Sequence, residues 1–303
     1  MDAEQDVQSE LTFRLLQPSD EAALEAFLQP RVATSMFLLG NSRAAGLVDS
    51  GRPYSGTYAA AFAGPAIVGV VAHYWNGNLV TQAPFQLDSL WRAAVAGSGR
   101  PIRGVIGPCD QVQAVKAALG LGPAAIQHDE AEPLYCLALR DLVVPEALRT
   151  GQVQARRIGP GDVELITDWH IGLSQEALHD ASAPQRRAEL RASVARAVEE
   201  GKTWILEAGG RAVATTAFNT AFPEAVQIGG VYTPPEFRSR GYCRAVVAAS
   251  LLDARAEGVE TAVLFTGPGN RPAQRAYESL GFQPVGQYCL FLLREALDLH
   301  RPR

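Results

Sequence analysis

An internal repeat is the feature that most constrains how this chain can fold. Each half opens with Arg, Pro and Asp at the same spacing, with the Asp suited to capping the helix that follows. Each half then has a helix ending in Leu-Gly and a strand containing Tyr-Cys-Leu. The matched landmarks are Arg14, Pro18 and Asp20 against Arg156, Pro160 and Asp162, Leu119-Gly120 against Leu280-Gly281, and Tyr135-Cys136-Leu137 against Tyr288-Cys289-Leu290. Three landmarks in one order predict a tandem duplication with its boundary near residues 144–154.

Length and patterning extend this prediction to the fold class. The chain has 303 residues, enough for two domains of about 150 residues each, which we assign to residues 1–148 and 149–303. Hydrophobic residues make up 47% and charged residues 19%, so each domain has the material for a packed core. In the second half, hairpin strands are followed by strand, helix, strand, helix and strand. This order predicts an α/β fold in which a twisted, mostly antiparallel mixed sheet is flanked by helices.

The overall charge and the longest uncharged run argue against two classes of partner. The net charge is −5 and no basic tail or stripe is present, which disfavours nucleic acid or an anionic membrane surface as the main partner. Residues 57–75 have no formal charge, but Gly64-Pro65 interrupts them. We therefore predict two strands joined by a turn rather than a membrane-spanning helix. Residues 1–10 are acidic and polar, unlike a signal peptide.

The spacing of cysteines and histidines favours neither disulfides nor a metal site. No Cys-x-x-Cys pair occurs, and the five histidines lack the spacing of metal ligands. The cysteines are Cys109, Cys136, Cys243 and Cys289. We therefore expect no disulfide framework, no bound metal and a reducing, cytoplasmic location.

One loop in the second half has the residues of an anion site. A strand ends before Pro234-Pro235, which prevents further pairing, and a helix begins after Gly241. Gly241 permits a tight turn, and free N–H groups at the start of the helix converge there with the positive end of its dipole. Positive charge comes from Arg238, Arg240 and Arg244. From these residues alone, phosphate binding and a surface turn with solvated arginines are equal alternatives.

Two motifs resemble those of the GNAT superfamily of N-acetyltransferases. Arg238-x-x-Gly241-x-Cys243 is similar to the family's acetyl-CoA pyrophosphate loop, with Cys243 where Gly or Ala is usual. Asn270-x-Pro272-Ala273-x-x-x-Tyr277-x-x-x-Gly281-Phe282 resembles its second CoA-side segment. Together they cover residues 225–282, and a looser likeness covers most of residues 152–293. The resemblance implies a tandem GNAT-like protein whose second domain binds acetyl-CoA.

The resemblance also implies a reaction, the direct transfer of an acetyl group to a primary amine of a small molecule or peptide. Tyr277 corresponds to the family's tyrosine acid, although it fits a buried helical stripe equally well. Asn270 either orients the cofactor or caps the helix after it. The backbone of Val231 and Thr233 pairs with the pantetheine arm or with ordinary sheet neighbours. The implied cofactor-binding set is Val231, Tyr232, Thr233, Arg238, Ser239, Arg240, Gly241, Tyr242, Cys243, Arg244, Asn270 and Ala273, without a metal.

The resemblance leaves the general base unidentified. Many family members have Glu on the strand before the loop, but Gln227 occupies that position here, and a glutamine cannot accept the proton. Substitutes are Glu224, His170, His179 or a chain of water molecules. Because of Gln227, a non-catalytic acyl-CoA-binding or sensing protein is the alternative function. The acceptor amine and the existence of a homodimer stay open.

The first half lacks the corresponding machinery. Its loop at residues 81–88 contains neither arginine nor glycine. Aligning the Leu-Gly helix ends places Lys116 opposite Tyr277 and Cys109 opposite Asn270. We therefore expect a degenerate copy that does not bind a pyrophosphate in the same way, and that packs against the active half and shapes the acceptor cleft.

Overall fold

The computed structural model describes residues 11–177 and 179–299, which form two compact units. Unit 1 comprises the residues up to Glu132 together with those from Gln287 onwards, and unit 2 comprises Pro133–Gly286. The acidic segment at residues 1–10, interpreted above as unlike a signal peptide, lies outside the described residues.

Unit 1 is a mixed sheet flanked by helices. Its elements are β1 (Leu11–Leu15), α1 (Glu21–Leu28), α2 (Val32–Ala45), β2 (Gly56–Ala63), β3 (Ala66–Tyr74), β4 (Asn78–Gln82), α3 (Leu87–Ser98), β5 (Ile102–Pro108), α4 (Cys109–Leu119), the first part of β6 (Ile126–Ala138) and most of β12 (Gln283–Leu297). The strand order is β1-β2-β3-β4-β5-β12. Strands β4 and β5 run parallel, and the other neighbours run antiparallel.

Unit 2 repeats this architecture. Its elements are the last part of β6, α5 (Glu146–Arg149), β7 (Gln154–Arg157), α6 (Val163–Ala177), α7 (Arg187–Glu200), β8 (Thr203–Ala208), β9 (Arg211–Phe222), β10 (Ala225–Tyr232), α8 (Tyr242–Ala256), β11 (Thr261–Phe265) and α9 (Arg271–Glu278). The strand order is β6-β11-β10-β9-β8-β7. Here β10 and β11 form the parallel pair, and the other neighbours are antiparallel.

The predicted mixed α/β fold class is confirmed, but packing divides the chain differently from the predicted domains at residues 1–148 and 149–303. In unit 2, Cys136 of β6 pairs with Val263 of β11, and in unit 1, Cys289 of β12 pairs with Gly107 of β5. Each half therefore contributes its last strand to the other compact unit. The repeat specifies the order of strands but not their partners, because a last strand can pair with the penultimate strand of either half. The domain boundary of the duplication stays a prediction.

The Arg-Asp landmark of the repeat is an ion pair that closes a turn in both units. Asp20 accepts hydrogen bonds from Arg14 (Nη1–Oδ2 2.5 Å) and from the Gln17 backbone N–H (2.8 Å). Asp162 accepts from Arg156 (Nη1–Oδ2 2.7 Å) and from the Gly159 backbone N–H (2.7 Å). Asp20 is the N-cap residue of α1, as predicted, and Asp162 directly precedes α6, but each carboxylate bonds to the backbone three residues earlier and so closes a 3-10 turn.

Both faces of the unit 2 sheet are covered. On β8, Trp204 and Leu206 pack in the cluster that contains the apolar side of α8. The intervening Ile205 packs with Ile166 of α6 and Val194 of α7. Successive strand residues point to opposite faces, so α8 lies on one side of the sheet and α6 with α7 on the other.

The uncharged run at residues 57–75 forms most of the β2–β3 hairpin, with its turn at Gly64-Pro65 as predicted. Throughout the part of the chain that the structure describes, no helix combines the length and the apolar character needed to span a membrane.

The expectation that the chain has no disulfide is wrong. Cys109, at the start of α4, is bonded to Cys289 of β12, 180 residues away and within unit 1. Because β12 pairs with β5, which leads directly into α4, these two residues become neighbours only after folding. Spacing along the sequence contains no sign of such a pair. The thiols of Cys136 and Cys243 are not linked to another cysteine.

Candidate active site

A gap in the unit 2 sheet provides the framework of the site. Ala225, Val226 and Gln227 of β10 pair with Thr261, Ala262 and Val263 of β11, and the ladder ends there. Beyond it, β10 continues alongside β9, whereas Leu264 and Phe265 of β11 continue alongside β6. The carboxyl end of β10 is thus an edge with backbone groups that can pair with a ligand.

A bulge interrupts β10 at this edge. Gly229 pairs with Ala217 and Tyr232 pairs with Thr215, so Gly230 and Val231 lie opposite the single residue Thr216. Gly230 has a φ of +59°, a conformation that favours glycine. The bulge turns the backbone of Val231 out of the regular ladder, which is the region predicted to pair with a pantetheine arm. That role of Val231, Tyr232 and Thr233 stays a prediction.

The predicted anion loop leads directly into α8. Ser239 and Gly241 have positive φ angles of +62° and +77°, and Gly241 is the N-cap of this 15-residue helix. The first helical hydrogen bond runs from the Ala245 N–H to the Gly241 carbonyl (3.2 Å). The N–H groups of Tyr242, Cys243 and Arg244 belong to the turn whose donors have no partner within the helix. They point towards the loop at the positive end of the helix dipole.

The three loop arginines differ in their partners. Arg238 donates to the carboxylate of Glu176 on α6 (Nη2–Oε2 2.7 Å) and to the Thr233 carbonyl (Nε–O 2.9 Å). Arg240 and Arg244 are exposed, and neither forms an ion pair with any described residue. Arg244 Nε lies 3.0 Å from the position that a Cβ would take at Gly241. The free positive charge beside the helix N-terminus therefore comes from Arg240 and Arg244. Glu176 was missed in the sequence, since it is 62 residues from Arg238 and belongs to no motif.

Cys243, the departure from the usual loop motif, adds no negative charge to this site. It is partly buried in the first turn of α8, and burial raises its pKa to about 12. The thiol is therefore neutral near neutral pH and does not repel an anion.

The second motif forms the start and the buried side of α9. Asn270 is the N-cap of this helix, and its Oδ1 accepts a hydrogen bond from the Ala273 N–H (3.3 Å). Asn270 therefore caps α9, which is one of the two roles predicted for it. Tyr277 is 5% exposed and packs edge-on against Phe282, with ring centroids 6.1 Å apart. Its position in the core satisfies the buried-stripe alternative, and its role as an acid stays a prediction.

The candidate bases differ in burial. Gln227 is 1% exposed, and its Oε1 has no hydrogen-bond partner among the described residues. Glu224 lies at the exposed β9–β10 turn, and His179 is exposed beyond the end of α6. His170 differs from both, because its Nε2 is inaccessible to solvent and lies 3.8 Å from the Cβ position at Gly230. Burial lowers the pKa of the His170 imidazole.

Comparison with known proteins relates part of unit 2 to one family. Residues 164–282 match the acetyltransferase (GNAT) family. These residues run from α6 through the bulged strand and the anion loop to Phe282, just after α9. No curated protein matches the sequence.

Solved structures with similar folds cover nearly the whole chain. A Drosophila protein has a TM-score of 0.65 at 14% identity, covering 92% of this chain and 98% of its own. A GCN5-related N-acetyltransferase from Sphaerobacter thermophilus has a TM-score of 0.54 at 14% identity, covering 97% and 99%. A tandem GNAT protein from the clavulanic acid biosynthesis pathway has a TM-score of 0.51 at 15% identity, covering 97% and 100%. At these identities the similarity concerns the fold. Together with the family match, it shows that residues 164–282 are an acetyltransferase domain of the GNAT family.

Proposed function

We propose that this protein transfers an acetyl group from acetyl-CoA to a primary amine of a small molecule or peptide. Membership of residues 164–282 in the GNAT family supports acyl transfer in general. The observation that carries the proposal is the combination of a left-handed Gly241 at the start of α8, two arginines that form no ion pair with a described residue, and a neighbouring gap between β10 and β11.

In this proposal the pyrophosphate of acetyl-CoA binds at the N-terminus of α8. The backbone N–H groups of Tyr242, Cys243 and Arg244 donate to its oxygens, and the left-handed turn at Ser239 and Gly241 keeps the path to them open. The guanidinium groups of Arg240 and Arg244 add charge-assisted hydrogen bonds. Arg238 acts through its bond to Glu176, which links the loop to α6.

The pantetheine arm then lies along the open edge of β10. Backbone groups of Val231, Tyr232 and Thr233 pair with its amides in the manner of an added strand. Asn270 and Ala273, joined by the cap of α9, border the opposite side of the cofactor. This arrangement brings the thioester towards the bulge at Gly230.

The chemistry is a direct displacement at the thioester. The amine nitrogen attacks the carbonyl carbon, a C–N bond forms and the C–S bond breaks. A base takes one proton from the amine, and the phenol of Tyr277 donates a proton to the departing thiolate. The products are an amide and free CoA, and Tyr277 regains its proton from solvent.

Calorimetric titration with acetyl-CoA tests the binding site. The double variant Arg240→Glu/Arg244→Glu is expected to weaken binding by about 10- to 100-fold, since a charge-assisted hydrogen bond contributes about 1.5–3 kcal/mol. Arg52→Glu is the control, because Arg52 is exposed in a turn of unit 1 and the substitution changes charge in the same way. Unchanged affinity in the double variant would show that the pyrophosphate binds elsewhere.

A non-catalytic acyl-CoA-binding or sensing protein is the second candidate, favoured by the buried amide of Gln227 where a carboxylate base is usual. Release of free CoA from acetyl-CoA, measured with glycine, glucosamine, spermidine and a peptide with a free N-terminus, separates the two candidates. Transfer to any of these amines supports the enzyme. Tight binding of acetyl-CoA without transfer supports the sensor.

A further inference from the structure

We propose that His170 is the general base that removes the proton from the attacking amine. This assignment rests on the proposed function. It is carried by the position of the imidazole over the β10 bulge and by a group of buried polar atoms around the same strand.

His170 projects from α6 towards the bulge. Its Nε2 lies 3.8 Å from the Cβ position of Gly230, and that position also has ordinary contacts with Ala217. Nε2 is inaccessible to solvent and has no hydrogen-bond partner among the described residues. A buried polar atom without a partner destabilises the folded state, so such atoms call for an explanation. A ligand that supplies the missing partner is a direct explanation here.

Two further side-chain atoms beside the bulge are in the same condition. Gln227 Oε1 and Thr233 Oγ1 are buried, and each lies without a hydrogen-bond partner in the described part of the chain. Gln227 precedes the bulge and Thr233 follows it along the chain. Thr216, by contrast, pairs with Trp204 and lies on the α8 side of the sheet, away from His170. Unsatisfied polar atoms are therefore concentrated along one short stretch of backbone. This concentration indicates the place where a polar substrate completes the hydrogen bonds.

The packing of α6 on β10 holds the imidazole in place. Gly172, half a turn beyond His170, allows close approach, since a Cβ there would lie 2.6 Å from the Tyr232 hydroxyl oxygen. The Tyr232 ring lies 6.4 Å from that of Trp169, the neighbour of His170. Both contacts fix the height and rotation of α6 above the strand. A base acts efficiently only when it is held within reach of the proton that it removes.

The charge state of His170 suits a base. Burial lowers its pKa, so the imidazole is neutral near neutral pH and, as the Nδ1–H tautomer, presents a lone pair at Nε2. The charged and titratable groups on the elements packed around this part of α6 are Glu176 on α6, Tyr232 on β10, Arg238 in the loop, and Arg187 and Arg191 on α7. Arg238 is paired with Glu176, and the α7 arginines are paired with Glu164, so none of them is directed at the imidazole.

The other candidates fit the role less well. Gln227 is buried in the right strand, but its amide oxygen is too weak a base to remove the proton. Glu224 and His179 are exposed, where water competes for the proton. In the proposed step, the amine nitrogen forms its bond to the carbonyl carbon and passes one proton to His170 Nε2. The thiolate leaves with the electrons of the C–S bond, and the imidazolium later releases its proton to solvent.

The test compares His170→Gln with the control Gln175→Ala, because Gln175 is exposed on the same helix and has no role in the proposed site. Transfer is measured as free CoA released from acetyl-CoA, with whichever amine of the panel above the wild-type protein acetylates. We expect kcat to fall by about 100- to 10,000-fold in His170→Gln and to stay at the wild-type value in the control. Affinity for acetyl-CoA, measured by calorimetry, stays within about twofold in both, because His170 does not contact the pyrophosphate.

The pH profile distinguishes a base from a structural residue. In the wild-type protein kcat/KM falls as the pH drops through the pKa of His170, which burial places below its usual range of about 6.5. In His170→Gln this fall of kcat/KM at low pH is absent. The fall that comes from protonation of the amine substrate itself is present in both proteins. If His170→Gln does not fold, His170→Ala in the presence of added imidazole replaces it, with partial recovery of transfer as the expected result.

The outcomes separate the two proposals. A wild-type protein that binds acetyl-CoA but acetylates no amine would overturn the proposed function and the assignment of a base with it. A wild-type protein that transfers, with kcat of His170→Gln within about threefold of its value or with an unchanged fall of kcat/KM at low pH, would overturn the role of His170 alone.

Discussion

The two units cross from a strand to a helix in the same way, at β4–α3 in unit 1 and β10–α8 in unit 2. In each, three strand residues pair in parallel with the next strand. In each, a left-handed residue precedes the helix, Gln86 with a φ of +57° and Gly241 with a φ of +77°. The backbone geometry of the anion site is therefore present twice. What differs is how the polar groups beyond the ladder are satisfied.

In unit 1 the protein itself fills the gap. The N–H of Ala83, just after β4, donates to the buried Oε1 of Gln111 on α4 (2.7 Å). The side chain of Gln82 accepts from Thr34 on α2 (2.8 Å). Gly107 of β5 lies so close to Thr81 that a Cβ would be 2.2 Å from its Oγ1. Two hydrogen bonds and close packing thus close the end of β4, although Thr81 Oγ1 itself is buried without a hydrogen-bond partner among the described residues.

In unit 2 the corresponding region has buried side-chain atoms of Gln227, Thr233 and His170 that find no partner among the described residues. Lys116, aligned with Tyr277, is by contrast bound to Asp129 in unit 1. The two units therefore differ at specific groups, since unit 1 satisfies the Ala83 N–H and the Gln82 side chain internally, and not at every polar atom of the region. We propose that unit 1 is a degenerate copy without a cofactor site.

The largest expected effect concerns how unit 1 holds its last strand. The Cys109–Cys289 disulfide ties β12 to the start of α4 across 180 residues. Cys289→Ser should lower the free energy of unfolding of unit 1 by about 2–5 kcal/mol, because the unfolded chain loses a long constraint. Urea denaturation without reductant measures the change, with Cys136→Ala as control for losing an unlinked thiol. Equal stability of Cys289→Ser and wild type would show that the ladder alone holds β12.

The next largest effect is on acetyl-CoA affinity, and it compares substitutions at the left-handed helix caps of the two units. Gly241→Glu places a side chain against Arg244, strains the φ of +77° and adds negative charge. Affinity for acetyl-CoA should fall at least about 100-fold, or about 2.7 kcal/mol. The matched variant Gln86→Glu introduces the same residue at the corresponding cap of unit 1. It should leave calorimetric affinity unchanged, and a loss there would contradict a cofactor site confined to unit 2.

A smaller effect tests the internal closure of unit 1. Gln111→Ala leaves the buried N–H of Ala83 without its partner, which should cost about 1–3 kcal/mol of stability. Gln113→Ala is the control, since Gln113 is exposed on the same helix two residues away. Thermal denaturation compares the two. We expect no second equivalent of acetyl-CoA to bind to Gln111→Ala, because the unit 1 loop still lacks the glycine and arginines. A second equivalent would instead show that Gln111 alone blocks a functional site.

Much of the fold could be predicted because its signals are local. The Gly64-Pro65 turn between β2 and β3, the Pro234-Pro235 end of β10 and the Gly241 turn before α8 each follow from the conformational limits of one or two residues. Hydrophobic periodicity then distinguishes helices from strands. The anion loop was found in the same way, because its glycine and arginines are contiguous.

The remainder depends on contacts between distant segments. The exchange of β6 and β12, the Cys109–Cys289 bond and the Glu176–Arg238 pair all join residues that no spacing rule connects. His170 illustrates the limit most clearly. In the sequence it is one of several candidate bases, and only the packing of α6 on β10 brings its Nε2 over Gly230. The only sign of this role in the sequence is Gln227 at the position where glutamate is usual, because a glutamine there means that the base lies elsewhere.

The smallest effect tests whether the two units share the landmark on which the repeat was recognised. Hydrogen bonds from Arg14 and Arg156 hold the pKa values of Asp20 and Asp162 below their usual range. A lowered folded-state pKa contributes stability above the unfolded pKa of about 3.9, and this stability is lost as the pH falls through the folded pKa. Asp20→Asn and Asp162→Asn should each cost up to about 1 kcal/mol at about pH 7, because the ion pair with arginine is lost while asparagine keeps an acceptor oxygen.

Because the carboxylates are protonated in acid, each asparagine variant should approach the stability of the wild type as the pH falls below about 4. Urea denaturation followed from about pH 7 to about pH 3 gives both differences in stability. If both variants lose a similar free energy of unfolding at neutral pH and match the wild type in acid, the Arg-Asp turn stabilises both units equally. A loss confined to Asp162→Asn would show that only unit 2 depends on this turn, and the landmark would then mark common ancestry without a common structural role.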